Sequence, residues 1–362
     1  MTREAPVVRS ATRPTAQTPP LARAGSAIDV LIVALGSTAG LRAVEDELLA
    51  SLRRAGASAE MVRPAQPTQV RTLMLTDLRW ALAARRAAEA ALASDSSPRA
   101  LIYSTTTAAL LWPRPGAIRF DALAVANRRG RHGLWQRPLE RRRLREAPLL
   151  LPQSEGALDG LVHGARHADA LMLPVPVEPS GPPAPTRDVA ALAYVANPAK
   201  KGLDRILAAW RVAHTTGEEL ILAGAAEDEL RRLGYALPAE GVHVAGKLEH
   251  ESYRALLRRA RVFICAARRE DYGIAQLEAL ADGCALVTTP SPGPYVALPI
   301  AHALDSRLVG EDLAAQLRGA LDDPAPDYAA RALVALEPFR RASVDRVVAD
   351  DLLPRLFGDM AS

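Results

Sequence analysis

Two carboxylates, Glu270 and Glu278, lie eight residues apart in the stretch REDYGIAQLEALADG (269–283). The apolar run ARVFICAA (260–267) precedes them, and a helical pattern opens near Gly273. Strand, loop and helix in that order leave the first helical amides unpaired at the positive end of the dipole, which makes an anion site. Carboxylates would repel a phosphate bound there. They suit hydroxyl groups, for which an ionised carboxylate is an acceptor only. A nucleotide-sugar has both features: a diphosphate for the helix terminus and a sugar on either side of it. By themselves the two residues are also readable as a solvated loop charge and a charge on a helix surface.

The lysines are the second candidate group. Of 45 basic residues only Lys200, Lys201 and Lys247 are lysines, and two of them are adjacent. A compact ammonium serves a phosphate as a point charge. The alternative is a pair of exposed lysines at a helix start.

These residues need elements to position them. IDVLIVAL (28–35), AEMVRP (59–64), RALIYSTT (99–106), GAIRF (116–120), APLLLP (147–152) and ADALMLP (168–174) read as strands. Helical patterns lie between most of them, including 41–56 and 72–94. The segment 173–188 holds six prolines in sixteen residues and reads as a linker. The alternation then restarts, with strands over 189–196, 218–224, 241–246, 260–267 and 284–290, and helices over 202–213, 227–234, 250–260 and 272–283. Alternating strands and helices imply parallel sheets covered on both faces. The expected architecture is α/β, with two Rossmann-like lobes facing a central cleft. The boundaries are a tail (1–26), an acceptor-side lobe (27–174), the linker (175–188), a nucleotide-sugar-binding lobe (189–340) and a helix (341–362) returning to the first lobe.

With those residues in place, REDYGIAQLEALADGCALVTTP resembles the signature of the retaining GT-B glycosyltransferases of family 4. Their pattern E-x-[FY]-G-x-x-x-x-E-A-x-A-x-G is met by Glu270, Tyr272, Gly273, Glu278, Ala279, Ala281 and Gly283. The order YVANPAKKGLDRILAAW, LILAG and HVAGKLEHESYRALLRRARVFICAA upstream fits as well, so the resemblance covers about residues 189–340. It implies that Glu270 binds hydroxyls of the donor sugar and Glu278 those of the ribose. It also implies that the backbone of Tyr272, Gly273 and Ile274 holds sugar and diphosphate, and that Lys201, before Gly202, contacts the diphosphate. Lys247 falls in the loop that passes near the base. One departure stands out: the family arginine about five residues before the lysine is Ala196 here, with Lys200 as a possible substitute. No D-x-D is present, so the metal-dependent chemistry of the other major glycosyltransferase fold is not expected, and neither a cofactor nor a metal is foreseen. Two further readings stay open: a non-catalytic sugar-nucleotide-binding protein of the same fold, and a sugar-nucleotide epimerase.

The first lobe speaks less clearly. GSTAG (36–40) follows the first strand where the family has a glycine loop, making Gly36 and Gly40 candidates for close backbone approach. A plain βα turn reads the same way. Asp121 stands where relatives often place a histidine and could accept or orient an acceptor hydroxyl's proton; Asn127 and His132 are nearby alternatives. RRGRHGLWQRPLERRRLRE (128–146) carries eight arginines with Leu134, Trp135, Leu139 and Leu144 between them. It reads as a basic helix resting on an anionic membrane, as a site for a phosphorylated or lipid-linked acceptor, or as a solvated face. The net charge of +4 does not call for nucleic acid. Cys265 and Cys284, both in apolar contexts, read as buried free thiols. The N-terminal 26 residues lack an apolar h-region, so a cytoplasmic protein, in peripheral contact with the inner membrane face, is expected.

Overall fold

The computed structural model describes residues 28–358 apart from 69, 71, 94–96, 129, 160, 162–169 and 183. The expected tail and the first two residues of the expected strand 168–174 therefore lie outside the described residues.

The continuous apolar runs of the first half form strands buried on both faces, as parallel sheets require, except at one sheet edge, where Glu60 is exposed. They are β1 (Val30–Val33), β2 (Ala59–Val62), β3 (Ala100–Tyr103), β4 (Ala117–Phe120) and β5 (Leu150–Pro152). Their order is β2-β1-β3-β4-β5, all parallel, with Val30 opposite Ala59 and Ala100. Residues 170–173 do not form a sixth strand. They run beside β5 through one bridge at Ala170 and amide bonds from Leu171 and Leu173 to Leu150 and Pro152. Pro174 and Pro176 then end any ladder, since neither can donate to it.

The second sheet holds β6 (Val189–Tyr194), β7 (Leu220–Ala223), β8 (Val242–Gly246), β9 (Ala260–Cys265) and β10 (Ala285–Thr288). Its order is β10-β9-β6-β7-β8, again parallel. In each sheet the chain reverses direction once, between β1 and β3 and between β6 and β9. Ligands of open α/β sheets bind outside the carboxyl ends of strands at such points. Both cysteines are free and buried, as their surroundings imply.

Prolines keep the segment after residue 173 free of helix and strand, yet it is not a loose tether. Val175 and Val177 are buried in the core of the second lobe. The Val175 amide donates to the Tyr272 hydroxyl at 2.8 Å, and the Val177 amide to the Phe339 carbonyl. The Tyr272 hydroxyl is itself buried, and burial pushes its pKa up to about 12. Tyr272→Phe is expected to leave the Val175 amide orphaned and to cost about 1–3 kcal/mol. A lower urea midpoint at constant m-value would register it.

The last segment, expected as one helix over 341–362, is less regular where it is described. Arg341–Val347 is α-helical, Val348–Leu352 widens into a π turn, and Leu353–Phe357 resumes the α-helix. Pro354 accounts for the break: it lacks an amide hydrogen, and its ring crowds the carbonyl four residues back. Val344, Val348, Leu352 and Leu353 pack with Val30, Ile32, Leu48 and Leu52 in the core of the first lobe. Asp345 fastens this contact, accepting from Ser51 Oγ at 2.5 Å and Arg54 Nε at 2.7 Å.

Candidate functional site

The second sheet presents Lys201 and Glu270 at its reversal point. A short helical turn, Pro198–Lys201, follows β6, capped by the Asn197 side chain, and Gly202 links it to the helix Leu203–Ala213. Gly202 has φ +68°, and a Cβ there would lie 2.0 Å from the Ala266 carbonyl oxygen. Only glycine lets this turn press so closely on the end of β9. The approach sets Lys201 Nζ 2.5 Å from Glu270 Oε2. Glu270 is 5 % exposed. Gln276 Nε2 donates to the same carboxylate oxygen at 3.0 Å, and the Glu270 amide donates to the Pro292 carbonyl. Beside this pair, Lys200 Nζ meets Asp271 Oδ2 at 3.1 Å, and Arg269 Nε meets Asp271 Oδ1 at 2.8 Å.

Gly273, at φ +88°, turns the loop into the helix Ile274–Ala281. Tyr272, Gly273 and Ile274 thus sit at the helix N-terminus, where unpaired amides face the loop. Glu278 lies further along the helix, with Oε1 2.7 Å from His250 Nε2 and 3.6 Å from Arg254 Nη1. Lys247 is drawn to Glu229 at 3.2 Å and is largely exposed.

On the first lobe, Gly36 follows β1 with φ +63°. The loop is held by Glu45, a fully buried carboxylate that accepts from the Leu35 amide at 2.7 Å, the Gly36 amide at 3.2 Å and Ser104 Oγ at 2.7 Å. Arg42 and Arg63 flank Gly36, and Arg42 donates to its carbonyl. Gly40 lies in the first turn of the helix Ala39–Arg54 with open space where a Cβ would stand.

Asp121 follows β4 and is solvent-accessible, yet protein rings it closely. That enclosure, with the Asp271 carboxylate opposite, raises its carboxyl pKa, while Lys200 opposes the rise. Water reaching the side chain moderates the effect. The bearing of Asp271 and Lys200 on Asp121 brings the two lobes' candidates to one place. Asn127 ends the short helix Ala124–Asn127, and the His132 side chain lies outside what is described.

Two residues escaped the sequence reading. Glu45 had a signal: with Leu41, Leu48 and Leu52 it lies on the inward stripe of its helix, so its burial follows from spacing. Arg119 had only its place in an apolar strand. It is 2 % exposed, and its nearest acceptors, the Val44 and Pro174 carbonyls, lie at 3.5 Å. Burial lowers its pKa to about 10.

The arginine-rich segment is partly consumed by structure. Arg128 pairs with Asp77 at 2.7 Å, Arg137 donates to the Arg128 and Gly130 carbonyls, and Arg143 donates to the Leu110 carbonyl and lies over the Trp112 ring. Arg141, Arg142 and Arg145 lie on the exposed face, where Arg142 pairs with Glu146 at 2.7 Å and Arg145 donates to the Arg141 carbonyl, and Leu134 is 68 % exposed. No helix among the described residues is long and apolar enough to cross a membrane, and no group of three or more His, Cys, Asp or Glu among them is placed to hold a metal.

Two parallel five-stranded sheets with flanking helices define the GT-B fold, and solved structures agree. Sucrose-phosphate synthase from Thermosynechococcus elongatus superposes with a TM-score of 0.64 at 16 % identity, covering 92 % of this chain and 100 % of its own. HepE of Anabaena, solved with UDP and glucose, gives 0.62 at 14 % identity, covering 90 % and 99 %. WaaG, a glycosyltransferase involved in lipopolysaccharide biosynthesis, gives 0.59 at 15 % identity, covering 92 % and 98 %. At such identities the likeness shows the fold. Residues 187–343 match the family model described as glycosyl transferases group 1. No curated protein matches the chain significantly. The family match and the fold together support a glycosyltransferase.

Proposed function

We propose that this chain is a retaining, metal-independent glycosyltransferase of family 4 that moves a hexose from a nucleotide-sugar to a sugar, glycan or lipid-linked acceptor. The Lys201–Glu270 pair, set at the reversal point of the second sheet against the helix N-terminus at Gly273, carries this reading. In the structure the two charges neutralise each other. A donor diphosphate draws Lys201, with Lys200 beside it, and freed Glu270 accepts hydroxyls of the transferred sugar. Glu278 takes the ribose, and Tyr272, Gly273 and Ile274 offer backbone to sugar and diphosphate. Charge building on the departing nucleotide is met by the lysines and the helix terminus. Asp121, reaching in from the first lobe, accepts or orients the acceptor's proton, and its upward shift brings it nearer a working base. Gly36 offers backbone to the donor from the opposite side, and closure of the lobes excludes water.

HepE was solved with UDP and glucose, which makes UDP-sugars the first donors to try. Pure protein in EDTA should release nucleotide from one member of a UDP-, GDP- and ADP-sugar panel. Glu270→Ala and Glu278→Ala should abolish that release. Binding without turnover would favour the second reading, a sugar-nucleotide-binding protein, which Ala196 in place of the resembled family's arginine motivates. The reading also places the protein in the cytoplasm, touching an anionic membrane through the exposed arginines and Leu134 of residues 128–146.

A further inference from the structure

Glu278 is already engaged by protein side chains. Its Oε1 lies 2.7 Å from His250 Nε2, on the first residue of the helix His250–Arg259, and 3.6 Å from Arg254. The two partners differ in how firmly they are held. Arg254 is 7 % exposed and anchored elsewhere, through Nε to Asp282 Oδ2 and through Nη2 to the Glu178 carbonyl, both at 2.7 Å. The His250 side chain is 69 % exposed, and among the described residues it makes no other side-chain hydrogen bond. Arg254 is therefore fixed beside Glu278, whereas the His250 ring is held, among the described residues, by its contact with Glu278 alone.

A vicinal diol offers two O–H donors to the two oxygens of a carboxylate. One of those oxygens is occupied by the imidazole. We propose that His250 is a positioning residue for the donor nucleoside, holding Glu278 Oε1 until the ribose hydroxyls take it over when the donor binds. This rests on the reading of Glu278 as the ribose ligand.

The exchange couples binding to a proton. The contact with Glu278 raises the His250 pKa; partial burial and Arg254 oppose the rise, and Asp282 adds to it. Glu251 and Tyr253 are the remaining titratable groups nearby on its own helix. The Tyr253 hydroxyl is buried without a partner among the described residues, and burial first, then Glu278, keeps it protonated. Donor binding removes the raising contact, so His250 releases a proton between its ordinary value and its raised one. Affinity should rise with pH through that window and be flat on either side.

The test is calorimetric titration of the full chain with UDP-glucose, GDP-mannose and ADP-glucose from about pH 5.5 to about pH 8. These diphosphodiesters carry no group that titrates there. The nucleotide that binds should gain about two- to five-fold in affinity, as a solvent-exposed ion pair allows. Buffers of different ionisation enthalpy should report a released proton. His250→Gln should flatten the pH profile. A flat wild-type profile, or an unchanged slope in His250→Gln, overturns the proposal. Imidazole NMR separates this from the function: His250 should titrate above an ordinary histidine, and Glu278→Gln should remove the difference. An ordinary value in the wild type overturns the inference and leaves the glycosyltransferase reading standing. A raised value with no nucleotide bound removes the donor reading, and the inference with it.

Discussion

Lys201→Met is expected to lower nucleotide release from the donor by about 10²–10³-fold, the loss typical of removing one preorganised charge from a transition state. It should also destabilise the protein by about 3–5 kcal/mol, because Glu270 stays buried without its counter-charge. The two effects have different origins, and a double mutant separates them. Adding Glu270→Gln removes the stranded charge, so Lys201→Met/Glu270→Gln should recover most of the stability and none of the activity. Lys201→Arg should keep much of the stability but not the rate, since a planar guanidinium does not replace a compact ammonium wedged between a turn and a strand end. Urea unfolding beside initial rates reads both quantities. Full activity in Lys201→Met would sink the role given to the lysine.

The second large effect is expected at Gly202, which touches no substrate in this reading. Gly202→Ala should cost at least about 3 kcal/mol, combining a left-handed conformation with a collision against the Ala266 carbonyl. Gly217→Ala is the control. Its φ is +90°, but nothing lies within 4 Å of the new Cβ, so only the conformational part, about 1–2 kcal/mol, should appear. If the two variants unfold at the same urea concentration, the close approach is not what holds the lysine turn. Any Gly202→Ala protein that does fold should also bind donor less well, since relief of the clash moves Lys201 away from Glu270.

How much of this was readable beforehand follows from what each feature depends on. The strands announced themselves because burial on both faces demands unbroken apolar runs, as in VLIV and LILA. Glu270, Glu278 and Lys201 stood out because charges at strand ends and helix starts interrupt those runs at fixed places. Partners were not legible. Nothing local ties Glu278 to His250, or Asp271 to Lys200, because those contacts join segments brought together by strand order alone. The arginine-rich stretch was legible only in part for the same reason: partial ion pairing on its helix was foreseeable, but charge counts do not show that Asp77, fifty-one residues earlier, takes up Arg128. The π turn at Val348–Leu352 was recoverable from Pro354, whose effect falls on the preceding turn.

The packing of residues 344–353 into the first lobe has a consequence for how the chain comes together. Threaded along its length, the molecule is one domain interrupted by another: the second lobe is contiguous in sequence, whereas the first is assembled from both sides of it. On the ribosome, the face of the earlier lobe that takes Val344, Val348, Leu352 and Leu353 must wait for them to emerge, while every fully buried residue of the interior lobe's core lies at or after Val175. Vectorial synthesis therefore completes the two halves in the reverse of their order in the sequence.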